Sequence, residues 1–143
     1  MKRILLSRTD SIGDVVLTLP MAGVLKKYFP GTEVLFLGRT YTRPIIEACT
    51  FIDQFIDWDS LKGLPWRQRV EAFRGLRADV IIHVFMVMDV AMLADLSGIP
   101  VRISTTHRLY GWFFCNKLIW FSRTSSDLHE AQLNLKLLKP LGI

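Results

Sequence analysis

Residues 7–20 read Ser-Arg-Thr-Asp-Ser-Ile-Gly-Asp-Val-Val-Leu-Thr-Leu-Pro, a polar turn set between a short apolar run and a mostly apolar segment of helical length. A turn that opens a helix presents backbone N–H groups with partial positive charge, which suits a phosphate, and Gly13 lets a ligand approach the backbone closely. Asp14 carries two readings at once. Ser11-x-x-Asp14 matches a capping box, in which a first-turn carboxylate offsets the helix dipole. The same carboxylate, held ionised at the helix start, is a general base able to take a proton from a hydroxyl. Asp10, earlier in the turn, reads first as a loop-capping residue. With Gly13 the turn's single glycine, neither G-x-G-x-x-G nor G-x-x-x-x-G-K-[ST] is present, which argues against an NAD dehydrogenase and a P-loop enzyme.

The elements that must position this turn follow from hydrophobic period. Strand-length apolar runs at 3–7, 33–37, 54–58, 79–85 and 101–104 alternate with helical patterns at 14–28, 41–49, 66–76 and 87–96. Pro44 falls in the first turn of the second helix, where a missing N–H does little harm, and Gly98 and Pro100 close the fourth. In the third, Trp66, Val70, Phe73 and Leu76 form one apolar face, with Arg67, Arg69, Arg74 and Arg77 off it. Residues 105–115 read as irregular, 118–121 as a further short strand, and 129–141 as a last helix. Repeated βα units of this spacing imply an α/β fold: a Rossmann-like parallel sheet with helices on both faces, residues 1–143 forming a single domain. Ligands of such sheets sit outside the carboxyl ends of the strands, at the loops after residues 7, 37, 85 and 104.

Composition bounds the function classes. The chain has 143 residues, 50% hydrophobic and 22% charged, which supplies one core and excludes disorder. Cys49 and Cys115 are too few for a disulfide scaffold, lack a C-x-x-C spacing, and read as packing residues. The longest apolar stretch, 80–96, is interrupted by His83, Asp89 and Asp95 and does not read as a membrane span. The run after Lys2 and Arg3 ends at Ser7, too soon for an export signal, which points to the cytoplasm. Net charge is +5, concentrated in the last third, so a polyanionic partner is open alongside a plain solvated surface. No nucleic-acid motif accompanies that charge. A phospho-receiver reading of Asp10 with Asp57 or Asp59 fails for want of a lysine after the fifth strand. His83 reads as a buried, hydrogen-bonded histidine rather than a metal ligand. His107 and His129 have no triad partner in view. The Met-rich stretch 85–89 reads as core. Residues 109–121 mix aromatic bulk with Arg108, Lys117 and Arg123; core burial is the first expectation, and contact with an anionic membrane interface the second.

The opening segment from Ile4 to Pro20, with its Ile-Gly-Asp-Val-Val-x-Thr-x-Pro core, resembles the start of family 9 glycosyltransferases, the lipopolysaccharide heptosyltransferases. Similarity continues through residues 25–31, 94–103, His129-Glu130 and 137–143, essentially the whole chain. The resemblance implies the amino-terminal, acceptor-side half of a two-domain GT-B enzyme, the donor-binding carboxy-terminal domain being absent. Such an enzyme moves heptose from ADP-heptose to the lipid A and inner-core acceptor with inversion, without a metal or other cofactor. By resemblance Asp14 is the catalytic base, while Thr9, Ser11 and Gly13 face the donor cleft. Arg67, Arg69, Arg74 and Arg108 are nominated for acceptor phosphates, because guanidinium forks match phosphate geometry. The Met-rich 85–89 loop departs from the polar or basic residues usual there. A half enzyme is expected to be inactive alone, with peripheral attachment to the inner membrane and no nucleic-acid partner. The alternative is a non-catalytic or vestigial binding module of the same fold.

Overall fold

The structure, a computed structural model, describes residues 3–105, 109–119 and 134–143. Strands β1 (Arg3–Ser7), β2 (Glu33–Gly38), β3 (Gln54–Asp57), β4 (Val80–His83), β5 (Val101–Thr105) and β6 (Lys117–Ile119) form one sheet in the order β3-β2-β1-β4-β5-β6. Every neighbouring pair is parallel. Parallel neighbours need crossovers, and these are α1 (Ile12–Tyr28), α2 (Arg43–Ala48), α3 (Trp58–Lys62), α4 (Trp66–Gly75), α5 (Met88–Leu96) and α6 (Leu109–Phe114).

Alternation along the central strands assigns the faces. Ile4, Leu6, Phe36 and Ile82 pack with Val15, Met21, Ala22 and Leu25 of α1, and with Leu137 and Leu138. Leu5, Leu37 and Ile81 pack on the other side with Trp58, Phe73, Val90 and Leu93 from α3, α4 and α5. Both faces are therefore apolar and covered, which is why the strands read as continuous rather than alternating runs. The strand order reverses between β1 and β4, so the connections after these strands leave in opposite directions and open a crevice at their carboxyl ends. The turn containing Asp14 lies there.

Four local differences from the sequence reading have physical causes. Helix α1 begins at Ile12 because Ser11, extended at φ −73°, ψ 157°, caps it. Trp58 ends no strand: the Asp57 carboxylate accepts the Ser60 N–H at 3.3 Å, starting α3 and turning Trp58 into the core. Residues 109–114, expected to be irregular, form α6. At the carboxyl end, Lys136–Leu141 is a 3₁₀ helix containing Pro140, while 129–133 lie outside the described residues. No helix among the described residues is long and apolar enough to cross a membrane.

Candidate active site at the end of the first strand

Strand β1 leaves the sheet at Ser7, and the Arg8 N–H donates to the Leu37 carbonyl at 3.1 Å, which ties the first residue of the turn to β2. The Arg8 side chain folds inward and is only 5% exposed. Its Nε and Nη2 donate to the two Asp10 oxygens at 3.0 and 3.2 Å, a bidentate fork. Burial pushes the Asp10 carboxyl above its ordinary value, and the Asp14 charge adds to this against the opposing pull of Arg8. From the neighbouring loop, the Tyr41 hydroxyl donates to the Asp10 carbonyl at 2.9 Å.

Asp14 stands at the mouth of this arrangement with its side chain 39% exposed. Ser11 Oγ donates to Asp14 Oδ2 at 2.6 Å and accepts the Asp14 N–H at 3.4 Å. The capping box is thus closed through the serine hydroxyl. Asp14 Oδ1 lies 3.4 Å from Arg8 Nη2. The first ladder bond of α1 joins the Val15 N–H to the Ser11 carbonyl at 3.0 Å, so the N–H groups of Ile12 and Gly13 come ahead of it at the positive end of the helix dipole. A half-exposed carboxylate fixed beside these dipoles can accept a proton from a hydroxyl arriving from solvent.

The other candidates separate. Ser11 and Gly13 are exposed beside Asp14, whereas Thr9 is buried. A Cβ built on Gly13 meets nothing within 4 Å among the described residues, so their packing does not demand glycine here. Gly13→Ala is accordingly expected to leave unfolding stability unchanged or raised by up to about 1 kcal/mol, the helix preference of alanine. Where that space receives a nucleotide-sugar donor, the same change weakens donor binding. Equilibrium unfolding and donor titration check the two halves, and unaltered donor affinity would remove Gly13 from the site.

Arg67 is exposed in the first turn of α4, at the same end of the sheet as Asp14. Arg69 donates to the Leu64 and Lys62 carbonyls at 2.8 and 2.7 Å, so its fork fastens α3 to α4. Arg74 pairs with Glu71 at 2.8 Å in the last turn of α4. That helix end is bound to the start of β1, where Arg3 Nε donates to the Leu76 carbonyl at 2.7 Å, so Arg74 is at the opposite end of the sheet from Asp14. Arg108 lies outside the described residues.

Three further expectations meet the structure differently. His83 is buried, but neither ring nitrogen has a hydrogen-bond partner among the described residues. Its register neighbour Ser7 is likewise unpartnered at Oγ, so the expected hydrogen-bonded histidine is not found. Burial, with a smaller contribution from Arg102, lowers the His83 pKa to about 3. Within the Met-rich loop Met86 is buried as expected and Met88 is exposed. Trp112 and Phe113 on α6 are 59% and 74% exposed rather than in the core. Cys115 does pack as expected, and burial raises its thiol pKa to about 12, an inert value. Sequence reading passed over Arg8 altogether, because a charged residue at a strand end carries no signal that it will be buried.

No family model matches the chain. A curated Haemophilus influenzae protein, named as a candidate glycosyltransferase, is 28% identical over 141 residues, covering 97% of this chain and 40% of its own length. The glycosyl transferase family 9 structure from Veillonella parvula superimposes with a TM-score of 0.78 at 23% identity, over 99% of this chain and 41% of that one. E. coli ADP-heptose lps heptosyltransferase II gives 0.76 at 15% identity, over 96% and 40%. E. coli heptosyltransferase WaaC with ADP gives 0.74 at 17%, over 98% and 48%. The fold is that of the amino-terminal domain of a GT-B heptosyltransferase. The resemblance in the opening segment thus extends to the whole six-stranded sheet. The chain spans about two fifths of the length of the curated relative it matches.

Proposed function

We propose that this chain is the acceptor-side domain of an inverting, family 9 glycosyltransferase that uses a nucleotide-diphosphate heptose. The observation that carries the reading is Asp14, a half-exposed carboxylate fixed by Ser11 at 2.6 Å at the start of α1, on the crevice where the strand order reverses. An acceptor hydroxyl gives its proton to Asp14 as its oxygen bonds to the anomeric carbon. The bond from that carbon to the diphosphate breaks from the opposite face, ADP departs with the electron pair, and the configuration inverts. The reading uses no metal. Two structures of similar fold are heptosyltransferase WaaC with ADP and with ADP-2-deoxy-2-fluoro heptose, which supports ADP-heptose as donor.

The lipid A and inner-core acceptor belongs to the same reading, with Arg67 the nominated arginine that lies exposed at the right end of the sheet. Attachment to the inner membrane is supported by exposed Trp112, Phe113 and Lys117. Sedimentation with anionic vesicles at low salt tests that part, and protein left in the supernatant removes it. The two-domain organisation is tested by the intact mass of the native protein in its own cells. A second domain of similar size predicts about twice the 16.4 kDa of this chain. A native mass of 16.4 kDa would make this chain a binding module instead.

A further inference from the structure

Asp14 and Asp10 stand in one turn, and a single buried guanidinium reaches both. Arg8 donates from Nε to Asp10 Oδ1 at 3.0 Å and from Nη2 to Asp10 Oδ2 at 3.2 Å, while Nη2 also faces Asp14 Oδ1 at 3.4 Å. The guanidinium is 5% exposed, the Asp10 side chain 18% and the Asp14 side chain 39%, so its charge acts strongly on Asp10 and is partly screened by solvent at Asp14. The contacts differ in quality: Asp10 receives the fork, and Asp14 one longer contact. Asp10 is held from behind as well, since Tyr41 Oη binds its carbonyl at 2.9 Å. On that neighbouring loop Arg39 lies over the Tyr41 ring at 5.8 Å and pairs with Asp59 at 3.3 Å.

We infer that Arg8 is a positioning residue for the Asp14 carboxylate, and that Asp10 sets how much of the Arg8 charge Asp14 receives. This rests on the reading of Asp14 as the base. Arg8 faces Oδ1 at 3.4 Å and Ser11 donates to Oδ2 at 2.6 Å, so each carboxylate oxygen has a neighbour that fixes its orientation. Asp10 engages the guanidinium in competition and places a second negative charge nearby. Both effects weaken the hold of Arg8 on Asp14 and favour proton uptake there. A base that must accept a proton and later release it gains from such a tempered ion pair, because a carboxylate wholly satisfied by arginine is a poor proton acceptor.

The test is the titration of the Asp14 side chain, followed by carboxyl carbon shifts in the full-length protein labelled with ¹³C-aspartate. Asp10→Asn and Asp14→Asn spectra assign the two signals. In Arg8→Gln the Asp14 midpoint is expected to rise, and in Asp10→Asn, which keeps the guanidinium and removes its competitor, to fall. An Asp14 midpoint unmoved in a folded Arg8→Gln protein overturns the inference. Should Arg8→Gln fail to fold, Asp10→Asn decides: a fall supports the inference, and no fall overturns it. A merely structural Arg8 would alter stability without moving this titration. The readout needs no sugar substrate, so failure of the transferase reading would show separately as absence of transfer.

Discussion

Asp14→Asn in the full-length protein is expected to cut sugar transfer by about 10²- to 10⁴-fold, the range over which a positioned general base acts. The substitution is close in shape and removes the capacity to take a proton. The amide oxygen it introduces can still accept the Ser11 hydroxyl proton, and Ser11 still caps α1. The Arg8 fork onto Asp10 at 3.0 and 3.2 Å survives, so the turn keeps its buried ion pair. What is lost structurally is the charge of a half-exposed first-turn carboxylate, about 0.3–1 kcal/mol at the helix dipole, together with its 3.4 Å ion-pair contact to Arg8. Initial rates of acceptor-dependent ADP release, with urea unfolding of the same protein, check both sides. Wild-type turnover in a folded Asp14→Asn protein would exclude Asp14 as the base.

The second large effect is on stability and concerns His83. This imidazole is buried at the end of β4, with a folded-state pKa of about 3 against an ordinary 6.5. Its folded pKa is lowered, so the unfolded chain binds the extra proton first as pH falls. The stability contributed by keeping His83 neutral is complete above about pH 6.5 and is lost on acidification toward about pH 3, at about 1.4 kcal/mol per pH unit. Several kcal/mol are therefore at stake in that window. His83→Leu removes the titration, and it also removes two buried nitrogens without partners among the described residues, which cost about 1–3 kcal/mol when unsatisfied. The expectation is a variant at least as stable as wild type at neutral pH and increasingly more stable below pH 6.5. Asp10, with its raised carboxyl value, works in the opposite direction, but it is common to both proteins and cancels in the difference. Parallel pH profiles for the two proteins would show that His83 does not titrate on unfolding.

How much of this was legible beforehand differs from element to element. Strands β1, β2 and β4 were readable because a central parallel strand covered on both faces is a run of apolar residues, and Ile4 to Leu6 or Val80 to Ile82 is such a run. Ser11 as a cap was readable from its spacing to Asp14. Helix α3 was not, because Trp58 is as suited to a strand as to a helix, and a local bond from Asp57 to the Ser60 N–H decides between them. Helix α6 carries exposed Trp112 and Phe113, so no amphipathic period announces it. The site was half legible. Gly13 and Asp14 stand out by type and spacing, whereas the part of Arg8 depends on its side chain being buried and bonded to Asp10, a tertiary detail that residue type does not encode. Arg69 and Arg74 were nominated as guanidinium forks suited to phosphate, and their bonds to the Leu64 carbonyl and to Glu71 are tertiary and local details that residue type does not encode.

The most direct test of the central claim is turnover by the full-length native protein with ADP-heptose and a lipid A inner-core acceptor, with EDTA present throughout. The account predicts ADP release only when acceptor is present, an acceptor heavier by one heptose unit, and a new glycosidic linkage inverted relative to the donor by NMR. Absence of acceptor-dependent ADP release from the intact, folded protein would contradict the transferase reading and leave a binding module with this fold.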